Sequence, residues 1–286
     1  IFLSTFAHIQ RIKLVRGKVV RRVYYILFAL CIVLTSCHIK ISSEEEENSN
    51  IVQIERYDRL EYRYLTTGDF SALQQMNTEY PMETRTLIED VVELGSATDP
   101  DINAKFLKFY QDTTLQALIA SVESEYANVD DLNEQLSAAF KYLKHKLPNI
   151  DVPRIYAQIS ALDQSIVVGN GTVGISLDKY LGEDFPLYLK YYTPLQRQQM
   201  TRDHIVSDCL SFYLMSVYQL KDFDSRPQFE RDLHIGKIHW VVNQALGHRI
   251  FRTKYVVAVE NYMQEHNNVS FDELLRITDF SKFKML

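Results

Sequence analysis

The sequence predicts an α+β fold, mostly helical, with a small antiparallel hairpin or sheet packed near a central buried helix. Three observations carry that reading. From Ile51 to about Leu147 apolar residues recur at helical spacing, whereas between Pro153 and Gly182 short β-branched and aromatic segments replace that pattern. From about Leu195 to Leu220 the chain reads as one long helix whose second half, CLSFYLMSVYQL, is apolar nearly all round, as suits a helix running through a core. With 286 residues, 46% hydrophobic and 24% charged, there is enough apolar material to bury a sizeable core.

The first 36 residues stand apart. They contain Arg11, Lys13, Arg16, Lys18, Arg21 and Arg22 and no acid, and they lead into the uncharged run Tyr24–Cys37. At 1.5 Å per residue that run is too short to cross a hydrocarbon core of about 30 Å, and its basic-then-apolar order is that of a secretory signal. Residues 1–17 read as an extension upstream of the signal. The run closes on Leu34-Thr35-Ser36-Cys37, which resembles the lipobox of bacterial lipoproteins. The resemblance implies cleavage before Cys37 and a diacylglyceryl group on its sulfur, so that residues 1–36 are a signal peptide and the protein meets its membrane through a lipid anchor. His38 stands where some bacteria use aspartate to retain lipoproteins in the inner membrane, which favours the outer membrane and a periplasmic or surface-facing domain. Residues 37–50, with the run Glu44–Glu47, read as the lipidated cysteine and an acidic tether, and 51–286 as one mainly helical domain.

Within that domain each element has a local reason. Asp69 is placed to cap FSALQQMNTEY, and Tyr80-Pro81 ends that helix and starts the next; Asp131 with Glu134 predicts a capping box ahead of QLSAAFKYLKHKL, and Pro148 ends the helical stretch. Phe106, Phe109 and Tyr110, at helical spacing, read as core. RIYAQIS, SIVV and TVGISL read as strands, the last two joined by the hairpin signal Gly169-Asn170-Gly171. Asp178 falls near a short helix, and Thr193-Pro194 supplies the cap and first turn of the long one. QFERDLHIGKIHWVVNQAL, TKYVVAVENYMQ and a segment opened by the capping box Ser270–Glu273 complete the chain.

Charge and cysteine content narrow the function. The net charge of −6 falls to about −12 once the basic first 36 residues are removed, so nucleic acid is excluded as a partner, since phosphate binding needs a basic surface. Of three cysteines, Cys31 lies in the signal and Cys37 at the anchor; Cys209 alone remains in the domain, in an apolar helix, as an inert buried thiol with no disulfide framework.

The window Asp203-His204-Ile205-Val206-Ser207-Asp208 is the candidate site. His204 and Asp208 are four apart and leave one helix face. Helices, a hairpin and then a core helix bearing this pair is the element order of zincin-type metallopeptidases, whose H-E-x-x-H holds zinc with two histidines and activates water with the glutamate. Here isoleucine replaces that base and aspartate the second histidine. Ile205 takes no proton, so the pattern predicts no catalysis and no cofactor; read instead as a divergent zinc-dependent metallohydrolase, it would use His204 and Asp208 as weak metal ligands. The structural expectation is a polar site of His204, Asp208 and Asp178, with the first two bonded to each other or to the hairpin. His234 and His239, five apart, do not share a face. No G-x-S-x-G, P-loop, G-x-G-x-x-G or C-x-x-C is present. Tyr188, Tyr191 and Tyr192 offer a glycan-binding surface only if they are exposed.

Tyr57-Asp58-Arg59, Tyr80-Pro81, the run Gly174-Ile175-Ser176-Leu177-Asp178-Lys179-Tyr180-Leu181-Gly182, the DHIVSD window and Gly236-Lys237-Ile238-His239-Trp240 occur in the order found in GldB-type gliding-motility-associated lipoproteins of the Bacteroidetes, which the chain resembles over roughly residues 50–245. The resemblance implies a non-catalytic envelope lipoprotein that binds protein partners within an envelope machine, and a distantly zincin-like fold. After Trp240 this chain looks shorter than the motility proteins.

Overall fold

The computed structural model describes residues 51–284. The expected signal peptide, Cys37 and the expected tether Glu44–Glu47 lie outside the described residues.

The helical first half begins with α1 (Tyr57–Thr67), which Gly68 closes in the left-handed conformation. Asp69 then caps α2 (Phe70–Glu79) through the backbone N–H groups of Ser71 and Ala72, and Pro81 opens α3 (Pro81–Thr86), which runs on as a π-helical turn, Leu87–Val91. After α4 (Ile102–Tyr110), Asp112 caps α5 (Thr113–Glu125). The helix α6 (Asp130–Lys146) ends before Pro148 as expected, but its start differs: Asp131 lies inside the first turn, with no side-chain cap, and is drawn off to an ion pair with Arg202. Phe106 and Tyr110 are buried, while Phe109 sits at the surface with its ring edge against Tyr110.

The sheet has three strands in the order β1-β3-β2: β1 (Arg154–Gln158), β2 (Ile166–Val168) and β3 (Thr172–Ser176). The hairpin β2–β3 is antiparallel, pairing Val168 with Val173 and Ile166 with Ile175, and Gly171 takes the positive φ its turn requires. β1 adds in parallel to β3, Tyr156 opposite Gly174, and Glu55 adds one further bridge beside Tyr156. The sheet is therefore mixed, because β1 reaches β3 through a crossover instead of a tight turn.

Alternation divides the strands. Tyr156, Gly174 and Val167 share one face, where Tyr57 of α1 meets Tyr156 edge-on and Glu83 of α3 pairs with Arg154. Ile155, Ile166, Val173 and Ile175 take the other, where the apolar helix α9 (Ile205–Val217) packs on β2 and β3. The sheet thus lies between two helical layers.

The long helix expected over 195–220 is broken. Thr193 and Gln196 do form a capping box, but α8 (Pro194–Arg197), which follows α7 (Pro186–Tyr191), is one turn long. The Met200 carbonyl accepts from Gly182 N and Thr201 is extended, so the helix cannot continue; a 3-10 turn, Arg202–His204, then leads into α9. The C-terminal elements are α10 (Gln228–Leu246), α11 (Lys254–Glu265) and α12 (Phe271–Arg276), with Ser270 and Glu273 forming the predicted box. Among the described residues no helix is long and apolar enough to cross a membrane.

Candidate functional site

His204 is the last residue before α9, and Asp208 lies one turn in. The two do not bond each other. His204 Nδ1 shares a hydrogen bond of 2.9 Å with Thr201 Oγ1, and partial burial holds its imidazole below the ordinary value against the pull of Asp203. Asp208 Oδ2 accepts from the Tyr180 hydroxyl at 2.9 Å, and burial pushes its carboxyl up to about 6 while that bond opposes the rise. Ile205, where a zincin would carry its base, is fully buried.

Asp178 serves a different bond set. It is wholly buried and accepts from Ser160 N at 2.9 Å and Leu162 N at 2.6 Å. It thereby holds the turn in which Ala161 and Leu162 both take positive φ, a conformation costing about 1 kcal/mol or more at each non-glycine residue. Burial raises the Asp178 carboxyl, and those N–H bonds oppose the rise. Asp178 and Asp208 therefore clamp the two ends of one short segment: Asp178 lies within the 3-10 turn Leu177–Lys179, and Tyr180, which reaches Asp208, follows it.

Every residue of that segment is fixed. Tyr188 donates its hydroxyl to the Asp178 carbonyl and accepts from Leu181 N at 3.0 Å, and Lys179 Nζ reaches the Leu162 carbonyl and the Tyr192 hydroxyl, both at 3.0 Å. Tyr188 is thus buried and Tyr192 bonded inward, which leaves Tyr191 alone of the three exposed and removes the tyrosine surface as a glycan platform.

Tyr126, which the sequence did not single out, joins the motifs. Arg56 and Arg59 donate to its carbonyl at 2.8 and 2.9 Å, its hydroxyl donates to the Tyr180 carbonyl, and the Arg202 guanidinium lies 4.9 Å from its ring centre. The Tyr57-Asp58-Arg59 motif, the Asp178–Tyr180 turn and the Asp208 window are in this way one hydrogen-bonded chain, Arg59 to Tyr126 to Tyr180 to Asp208.

Glu61 was also missed. Its Oε2 accepts from Ile159 N at 2.8 Å, Tyr110 donates to the Ile159 carbonyl at 2.8 Å, and Glu61 Oε1 has no hydrogen-bond partner among the described residues. Burial first, then the nearby Asp58 and Asp178, raises its carboxyl well above the usual range. One signal was available: Glu61 sits at helical spacing between Tyr57 and Leu65, on the apolar face of α1.

Chemically these acids, their carboxyls raised by burial, serve as hydrogen-bonding braces. Burial pushes the Cys209 thiol up to about 12, with Asp208 adding to the rise, so it is no nucleophile. His234 Nε2 is bonded to the Tyr218 carbonyl at 2.8 Å and His239 is stacked on Phe251 with ring centres 3.7 Å apart. Among the described residues no three His, Cys, Asp or Glu side chains are grouped as metal ligands would be.

No curated protein and no solved structure matches the chain. Residues 39–251, well over half of it, match the family described as gliding motility protein GldB, a span that takes in every motif joined by this bonded chain. The protein belongs to the GldB gliding motility family.

Proposed function

We propose that this GldB-family protein is a non-catalytic lipoprotein of the cell envelope, anchored through Cys37 to the outer membrane, whose domain binds protein partners of a motility-associated envelope machine. One observation carries the non-catalytic part. In the window that most resembles a metallopeptidase site, Asp208 is taken by Tyr180, His204 by Thr201, and the base position is the buried Ile205. A zincin-type hydrolase needs an exposed base beside its metal-bound water, and a buried aliphatic residue supplies neither access nor a lone pair. The family's name marks lipoproteins, which agrees with the lipobox ending at Cys37.

The test is metal content and N-terminal mass spectrometry on protein purified from membranes, with His204→Ala and Cys37→Ala as controls. The reading expects a diacylated N-terminus lost in Cys37→Ala, and no zinc that depends on His204. Near-stoichiometric zinc that vanishes in His204→Ala, or an unmodified Cys37, would overturn it.

A further inference from the structure

The outer edge of β2 is open. In the antiparallel β2–β3 ladder the bonded pairs are Gly169 with Thr172 and Ser165 with Ser176, so the N–H and C=O groups of Ile166 and Val168 point away from β3. No described residue pairs with them. Ile166 is buried by its side chain, whereas Val168 is half-exposed and presents its donor and acceptor outward.

Beside this edge, on the Tyr156 face of the sheet, lies a groove of about 770 Å³. Val167 and Val168 form one side and Met82, Glu83 and Asp90 the other; the Gln164 side-chain amide, donating to the Asp90 carbonyl at 3.5 Å, marks one end. Met82 is 65% exposed at the rim. The groove is also acidic: Glu79 and Asp90 line it with no ion-pair partner among the described residues, and the one cation, Arg154, is already engaged by Glu55 and Glu83.

We infer that β2 is a docking edge for an extended, basic segment of a partner protein, which adds as a fourth strand at Val168 and sends alternate side chains into the groove. The inference rests on the protein-binding reading above and names the surface and partner chemistry. Strand addition satisfies the outward N–H and C=O of Val168, and Lys or Arg side chains meet Glu79 and Asp90, while aliphatic ones meet Met82 and Val167. The three-residue length of β2 and the acidic rim oppose pairing of this edge with a second copy of itself.

The test uses the full lipoprotein in detergent and fluorescence anisotropy with an acetylated octapeptide of alternating lysine and valine. Four comparisons accompany it: the glutamate–valine counterpart, the lysine peptide N-methylated at alternate residues, Val168→Pro, and Glu79→Gln with Asp90→Asn. Proline removes an N–H that the ladder does not use, so the hairpin survives. The inference expects the lysine peptide to bind, the acidic peptide not to, and both N-methylation and Val168→Pro to weaken binding about tenfold or more. Glu79→Gln with Asp90→Asn should weaken it and remove most of its salt dependence. Absence of lysine-peptide binding, or equal binding after N-methylation, overturns the inference; if Val168→Pro unfolds, the N-methylated peptide on the unmodified protein decides alone. Cross-linking in cells separates the two readings. Partners captured equally by wild type and Val168→Pro would sink the edge and spare the partner-binding function, whereas peptide binding without any cellular partner would sink the function.

Discussion

The Tyr180 hydroxyl donates to Asp208 Oδ2 at 2.9 Å, tying the turn that leaves the sheet to the first turn of the core helix α9. Both groups are largely buried, so each depends on the other for its hydrogen bond. Removing the hydroxyl in Tyr180→Phe leaves the carboxyl without that donor and should cost about 1–3 kcal/mol. Urea melts read against wild type check this.

Asp208 also predicts a pH dependence. Its folded-state pKa of about 6 lies above the ordinary aspartate value of 3.8, so the native state holds its proton longer than the unfolded chain. Its contribution to stability is therefore full below about pH 4, falls as pH rises to about 6, and is constant above; the whole change is at most about 3 kcal/mol. Asp208→Asn keeps an acceptor for Tyr180 and removes the titration. The difference between wild type and variant, in melts from pH 4 to 7, should show Asn gaining on Asp as pH rises, and a flat difference would refute the assignment.

What the sequence made legible was local. Asp69, Pro81, Thr193 and Ser270 start helices because a cap needs only its own next three residues, and Gly169–Gly171 turns the hairpin for a similarly short-range reason. What it hid was decided across the chain. β1 pairs in parallel with β3, the helix expected from Leu195 stops because Gly182 N claims the Met200 carbonyl, and Asp131 leaves its capping role for Arg202. The site follows the same division: the four-residue spacing of His204 and Asp208 and the place of Asp178 after the hairpin are visible in the sequence, but their partners Thr201, Tyr180 and Ser160, and the bridging Tyr126, are set by tertiary packing.

Glu61 offers a contrast between isosteres. Its carboxyl is raised by burial, so at neutral pH the native state is penalised for any charge there. Glu61→Gln retains an acceptor for Ile159 N and cannot ionise, so its stability relative to wild type should improve as pH rises. Glu61→Ala leaves the buried N–H of Ile159 without its acceptor and adds a cavity, for a loss of about 2–4 kcal/mol. Thermal melts of the three proteins at pH 5 and pH 8 separate these outcomes.

Tyr156 lies over Gly174 in the neighbouring strand, and a Cβ on residue 174 would stand 2.6 Å from its ring and hydroxyl. The ring cannot swing away freely, because Tyr156 is buried against Tyr57. Gly174→Ala should cost about 1–3 kcal/mol by overpacking. In a double-mutant cycle with Tyr156→Leu, most of that cost should disappear, since the clash is with the ring.

The Gly236–Trp240 motif predicts its own two-part test. Gly236 lets α10 approach α11, because a Cβ there would stand 2.7 Å from Tyr255 Cβ and 3.0 Å from its backbone carbon; neither can rotate away. Lys237, fully buried, donates to the Leu275 and Ile277 carbonyls at 3.1 and 2.6 Å and so ties the end of α12 to α10. Burial lowers its ammonium to about 8, below the ordinary lysine value of 10.5, so stability from this group should rise between about pH 8 and pH 10.5 as the folded form sheds its proton first. Gly236→Ala separates the helix pair and should lower the melting temperature of the whole domain. Lys237→Met keeps the packing volume but leaves two carbonyls without their donor, so its effect should concentrate at the C-terminus, as faster tryptic cleavage after Arg276 and Lys282. Equal cleavage rates in wild type and Lys237→Met would show that α12 is held by its apolar face, Leu274 and Leu275, and not by the buried lysine.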